Sequence, residues 1–361
     1  MSRFPRDDYR SLDLYDPGRS PVPVDLSDNT NLWGVHPGAL EALREAPPEA
    51  LLRYPTVYGS DLKGAVARRY RVPEECVATG AGSDDLLDSA LRASAVPPGL
   101  LAYPAPSFSM VEVFGRMNGL EALRVSWEDT EADPASLLRE GPDVVYLCRP
   151  NNPTGHSLGR DRVAELVSLV GDDGPLLVVD EAYADFGEES LLGEAPSSPR
   201  LLVLRTLSKL YGLAGLRVGF AVGSPEVVME VEKSRGPYKV GQVSERAAVA
   251  ALDDASGWAE EIREEVRENR ERLAGELELR GLRPLSSRAN FLLVPVEPAG
   301  AVQVNRALRE KGVAARAFPD LPGVGDALRV TVGPWPLMER FLDALDGLLE
   351  GRSREEEGED G

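Results

Sequence analysis

Five lysines occur in the 361 residues, and one of them, Lys209, stands in a setting suited to covalent chemistry. The stretch LLVLRTLSKLYGLAGLRVGF, Leu201 to Phe220, begins as a buried strand. Just past its carboxyl end it presents Thr206, Ser208 and Lys209, and it returns with Arg217 after a glycine-bearing loop. An amine among small hydroxyls, an arginine and apolar neighbours suits imine formation, because burial and nearby positive charge lower its pKa toward neutrality. A surface lysine snorkelling from a loop is the ordinary alternative. Asp180 and Tyr183, in DEAY, follow the apolar run LLVV, and Asn152, in CRPNNPTG, follows DVVYLC. Taken singly, each is accounted for as a cap, a buried ion-pair member or a packed side chain.

The run Gly80-Ala81-Gly82-Ser83-Asp84-Asp85 joins a strand to a helix. It lacks the third glycine of a dinucleotide fingerprint, and no G-x-x-x-x-G-K-[ST] accompanies it. A glycine-rich turn at a helix start still offers backbone N–H groups to an anion. A tight connection with Ser83 as N-cap explains the turn equally well. For an anion to bind, Asp84 and Asp85 must point away from it.

These residues need a scaffold that brings strand ends together. The apolar runs CVATG, LLAY, DVVYLC, LLVVD, LLVLRT and VGFAVG are short, continuous and rich in Val and Leu, which predicts strands buried on both faces. Helical segments such as DDLLDSALRASA and RDRVAELVSLV separate them. The fold class is therefore α/β, with a mainly parallel sheet covered by helices and a site at the carboxyl ends of the strands. Residues 1–35 read as an arm and 36–245 as the large domain. Residues 246–350 read as a small α+β domain, entered by one long helix from Ser244 to about Arg280 with Ile262, Val266, Leu273 and Leu277 on one face. Residues 351–361 read as a charged tail.

The formal net charge is −20, from 40 basic and 60 acidic residues, which would repel phosphate backbones and anionic lipid. Nucleic acid and membrane are accordingly not expected as partners. Cys76 and Cys148 provide no disulfide framework, and His36 and His156 alone make no metal cluster. No run approaches the ~20 apolar residues of a membrane span, and the amino terminus lacks a signal-peptide core. A soluble cytoplasmic protein is the expectation.

The ordered set GAGSD, APSF, NNPTG, DEAY and T-x-SK-x-x-x-x-GLR-x-G resembles the fold-type I pyridoxal-phosphate aminotransferases, and in detail the histidinol-phosphate aminotransferases, over nearly the whole chain. The resemblance implies a seven-stranded sheet, a small domain from both chain ends, and pyridoxal 5′-phosphate as cofactor. Lys209 would hold the cofactor and move protons, Asp180 would pair with the pyridine nitrogen, and Asn152 and Tyr183 would bind the ring's phenolic oxygen. Phe108 would stack on the ring. Gly82, Ser83 and Asp84 through their backbone, with Thr206, Ser208 and Arg217, would take the phosphate. Tyr54 would reach the phosphate of a second subunit, making a homodimer. Arg329 would grip a substrate carboxylate, and Arg316 with Tyr15 the phosphate end of L-histidinol phosphate, with 2-oxoglutarate as amino acceptor. Cis bonds before Pro106 and Pro153 are also implied.

Three positions depart from the family pattern. Thr30 stands where a glutamate is usual and Lys239 where an asparagine is common, while Arg149 replaces a small polar residue. The two extra cations near the pocket would help bind an anionic substrate, or signal a different one. The alternatives are an aminotransferase for aromatic or other amino acids, a phosphothreonine decarboxylase, and a non-catalytic scaffold that keeps the cofactor.

Overall fold

In the computed structural model, residues 4–6, 9–10, 12–14 and 20–359 are described, with side chains to residue 348. Strand β1 (Val24–Asp25) belongs to the arm. Then β2 (Val77–Gly80), β3 (Gly99–Ala105), β4 (Leu120–Ser126), β5 (Val144–Cys148), β6 (Leu176–Asp180), β7 (Leu201–Thr206) and β8 (Gly219–Gly223) form a seven-stranded sheet in the order β2-β8-β7-β6-β5-β3-β4. The pairs from β4 across to β7 are parallel, and β8 runs antiparallel to both β7 and β2.

Alternation explains the continuous apolar runs. Val145, Leu147, Leu177, Val179 and Val203 enter one buried cluster, whereas Val144, Tyr146, Leu176, Val178, Leu202 and Leu204 enter another, so both faces of the central strands are covered. Edge strand β4 carries no such signal in the sequence because it is apolar only intermittently, with Glu121, Arg124 and Ser126 exposed.

Strand β9 (Phe291–Pro295) pairs with β12 (Gly325–Thr331), and β12 pairs with β11 (Arg316–Leu321), all antiparallel. The short β10 (Val313–Ala314) lies parallel to β1, so the arm joins the carboxyl-terminal part of the chain. The expected single helix from Ser244 is two, Gln242–Leu252 and Trp258–Leu279. The break comes at Asp254, whose carboxylate accepts from the Ser256 N–H at 3.1 Å, and at Gly257, with φ of 89°. The final helix, Trp335–Glu359, carries on into the charged run read as a tail.

The arm is held against the loop after β7. Asn31 Nδ2 donates to the Leu210 carbonyl at 2.6 Å, and Gly212, with φ of 67°, lies so near Gly34 that a Cβ would sit 2.1 Å from its carbonyl oxygen. No described helix is long and apolar enough to cross a membrane.

Candidate active site

The carboxyl ends of β5, β6 and β7, the start of the helix Ser83–Ser94, the arm near Asp28 and the β11–β12 hairpin enclose a cavity of about 360 Å³. Lys209, half-buried, is one of its lining residues. Its Nζ donates to the Asp28 carbonyl at 3.2 Å and lies 5.5 Å from the centre of the Tyr183 ring. Burial foremost, then the Arg329 guanidinium, lowers the amine to about 8. A nucleophilic neutral amine is thus accessible near physiological pH.

Asp180, at the end of β6, accepts from the Tyr146 hydroxyl at 2.8 Å and from the Ala182 N–H at 3.0 Å. Burial pushes its carboxyl up to about 6. Among the described residues no cation pairs with it, so the cavity floor carries a buried carboxylate suited to a positively charged ligand atom. Tyr183 accepts from Asn29 Nδ2 at 3.1 Å, and burial raises its hydroxyl to about 12.

At the opposite end the chain builds an anion cradle. Gly82 takes a φ of 86° where a Cβ would stand 2.6 Å from an Arg217 nitrogen, and the helix that follows directs its first N–H groups toward the turn. Thr206 donates its hydroxyl to Ser208 at 2.9 Å and accepts from the Ser208 N–H at 3.1 Å. Gly82, not Ser83, is the N-cap, and no side chain caps the helix, which leaves those N–H groups available. The two acids behave differently. Asp84 does not point away: it lines the cavity and accepts from Arg217 at 3.2 Å, with its carboxyl raised by burial. Asp85 turns back and accepts from the Ala81 N–H at 3.2 Å.

A third region is cationic. Arg316 and Arg329 face each other in the β11–β12 register and both line the cavity, an arrangement of like charges suited to anions. Arg329 donates to Asn152 Oδ1 and, at 2.7 Å, to the Ser27 carbonyl. Phe108 also lines the cavity. Tyr54 does not: it is 82% exposed and stacks on Tyr238 at 5.0 Å. Tyr15 lies outside the described residues.

The two extra cations are not cavity residues. Arg149 is 1% exposed, pairs with Glu188 at 2.5 Å and donates to the carbonyls of Leu158 and Glu189 at 3.0 and 2.8 Å. Lys239 pairs with Asp85 at 2.8 Å. Strand alternation gives the reason for Arg149: Cys148 faces the cavity, so its neighbour faces away. The bonds before Pro106 and Pro153 are cis.

Sequence reasoning missed Tyr146, Asn29 and the Asp28 carbonyl. Tyr146 becomes recognisable only through the register of β5 with β6. Cys148 registers with Asp180 and Tyr146 with Val178, so Tyr146 and Asp180 share a face one pair apart. Asn29 and Asp28 lie in an arm without periodicity and gave no such signal.

A family model for aminotransferases of class I and II matches residues 21–345. The chain belongs to this family. It is 34% identical to histidinol-phosphate aminotransferase 1 of Nostoc sp. across 98% of this chain and 100% of that protein. Among solved structures, histidinol-phosphate aminotransferase from Sinorhizobium meliloti, in complex with pyridoxal-5′-phosphate, superposes with a TM-score of 0.87 at 24% identity, covering 97% of this chain and 98% of that one. L-threonine-O-3-phosphate decarboxylase from Porphyromonas gingivalis gives 0.80 at 23% identity over 91% and 99%. The two solved structures establish the aspartate-aminotransferase-like fold and leave the choice of reaction to the site.

Proposed function

We propose that this aminotransferase uses pyridoxal 5′-phosphate to transfer the amino group of L-histidinol phosphate to 2-oxoglutarate, giving imidazole acetol phosphate and glutamate. One observation carries the reading: a half-buried amine lowered to about 8, a buried carboxylate without a cationic partner among the described residues and an anion cradle share one cavity. Those residues fit the cofactor. The carboxylate suits a protonated pyridine nitrogen, the cradle suits a phosphate monoester, and the lysine suits an aldehyde.

When bound, the cofactor supplies the electron sink that makes the substrate α-proton acidic and carries the amino group between the two substrates. Lys209 Nζ would hold the cofactor through its aldehyde carbon and, as a free amine, would move the proton at the substrate α-carbon. Asp180, oriented by Tyr146 and the Ala182 N–H, would hold the proton on the pyridine nitrogen. Asn152 and Tyr183 hold the phenolic oxygen, and Phe108 covers the ring face. The N–H groups of Gly82, Ser83 and Asp84, the hydroxyls of Thr206 and Ser208, and Arg217 hold the phosphate. Arg217, which pairs with Asp84 at 3.2 Å, would turn to the phosphate.

Arg329 grips the α-carboxylate of glutamate, and Arg316, one strand away, takes the phosphate of histidinol phosphate with Tyr15. We assign residues 36–245 to a large domain and 246–350, with the arm, to a small one; the β1–β10 pairing supports this. A homodimer in a reducing cytoplasm completes the proposal, with Tyr54 of each copy reaching the other's phosphate. The exposed Leu51, Leu52, Tyr54, Val57 and Tyr238 support that assembly.

The test is substrate choice. Purified protein loaded with pyridoxal phosphate is offered histidinol phosphate, aromatic amino acids and phosphothreonine, with 2-oxoglutarate present. Glutamate formation with histidinol phosphate as the best donor is expected, and an Arg316→Ala variant loses that preference while keeping glutamate. Carbon dioxide release from phosphothreonine, or an Arg316→Ala variant that turns over histidinol phosphate unchanged, refutes the assignment.

A further inference from the structure

Behind the anion cradle lies a carboxylate that the mechanism above leaves unused. Asp85, in the first turn of the helix Ser83–Ser94, has a side chain only 14% exposed. Its Oδ2 accepts from the Ala81 N–H and from Arg235, each at 3.2 Å, and its Oδ1 accepts from Lys239 Nζ at 2.8 Å. The Arg235 side chain is 1% exposed and approaches Glu232 at 3.9 Å; Glu232 pairs in turn with Lys63 at 2.6 Å. The acids and bases therefore alternate through a largely buried chain of charges. A carboxylate held by two cations and a backbone N–H is costly to displace, so the peptide it grips is fixed as well.

Both cations come from the segment between the helices Pro225–Lys233 and Gln242–Leu252. There Tyr238 donates its N–H to the Val57 carbonyl at 3.0 Å and stacks on Tyr54. The same few residues thus touch the back of the cradle at Lys239 and the exposed aromatic face at Tyr238.

We propose that Asp85, clamped by Arg235 and Lys239, is a positioning residue that holds the Gly80–Gly82 turn in the arc a phosphate monoester requires and ties that arc to the Tyr54–Tyr238 face. The inference rests on the phosphate-holding role proposed for this turn. It also explains Lys239, which is not among the cavity-lining residues and acts on the cradle through Asp85.

Binding of pyridoxamine 5′-phosphate and of pyridoxamine, which differ only in the phosphate, is measured on the full chain and on Asp85→Asn, Lys239→Met and Lys239→Arg. Asp85→Asn and Lys239→Met weaken the phosphorylated ligand about tenfold, the effect of one lost charge-assisted hydrogen bond, and leave pyridoxamine within roughly twofold. Lys239→Arg restores most of the loss. Equal weakening of both ligands, or of neither, overturns the positioning role. Lys239→Met keeps the test decisive if Asp85→Asn fails to fold, since Lys239 is a third exposed. A parent protein that binds the two ligands equally overturns the phosphate-holding reading itself, and the inference with it.

Discussion

The cavity has two kinds of wall. One is made where β5, β6 and β7 end, and its residues, Asn152, Asp180, Tyr183, Thr206, Ser208 and Lys209, stand within a few positions of a strand buried on both faces. The other is made where the arm meets β11 and β12, through bonds between residues some three hundred positions apart. Arg329 donates to the Ser27 carbonyl, and Thr331 donates to the Leu26 carbonyl at 2.8 Å. The first wall inherits its rigidity from a sheet that forms regardless of what lies in front of it. The second exists only once both chain ends are docked. This difference bears on chemistry and grip: the carboxylate is fixed by the sheet, the amine is placed by the sheet but also reaches the arm at the Asp28 carbonyl, and the grip on anions depends on the surface built from both chain ends.

If the sheet wall holds the chemistry, the largest loss comes at Lys209. Lys209→Arg keeps the positive charge but cannot form an imine or give up a proton, so glutamate-to-2-oxoglutarate exchange falls by at least about 10⁴-fold with an unchanged melting temperature. Next comes pH. Because the neutral amine is the reactive form and its pKa lies near 8, capture of pyridoxal phosphate speeds up with rising pH. The rate climbs about fiftyfold from about pH 6 to about pH 8 and gains roughly a further twofold before levelling above about pH 9, as stopped-flow absorbance would record. At the second wall, Arg329→Lys loses the bidentate fork and lowers kcat/KM for glutamate about thirtyfold, with the absorbance of the bound cofactor unchanged.

A smaller effect probes how the first wall tunes its carboxylate. Tyr146→Phe removes a hydrogen bond that favours ionised Asp180, so the carboxyl rises further above its usual range. Turnover drops roughly tenfold, and the pH titration of the cofactor absorbance shifts. Arg149→Met has the least effect on rate, within about twofold, yet leaves Glu188 buried without its main partner and costs about 3 kcal/mol of stability in urea unfolding.

The same contrast governs what the sequence disclosed. The sheet wall was legible because a strand covered on both faces writes its burial as continuous apolarity, and the chemical residues follow that run directly. Tyr146 was hidden by the same rule, since an aromatic inside an apolar run looks like core until its register with β6 is known. Arg149 and Lys239 were misread because nearness to a motif in sequence says nothing of direction: alternation turns Arg149 away, and Lys239 stops at Asp85. The break between Leu252 and Trp258 was invisible to a stripe of apolar residues that resumes in the next helix. Asn29 and the Ser27 and Asp28 carbonyls act through partners on distant strands, which no local pattern encodes.

If Lys209 and Asp180 serve transamination in one cavity, a single turnover is enough to reveal it. Protein loaded with pyridoxal phosphate is mixed with L-glutamate, and product is counted against active sites. The prediction is one 2-oxoglutarate per site, no carbon dioxide, and restoration of the starting absorbance on adding 2-oxoglutarate; carbon dioxide release, or no 2-oxoglutarate from fully loaded protein, would contradict it.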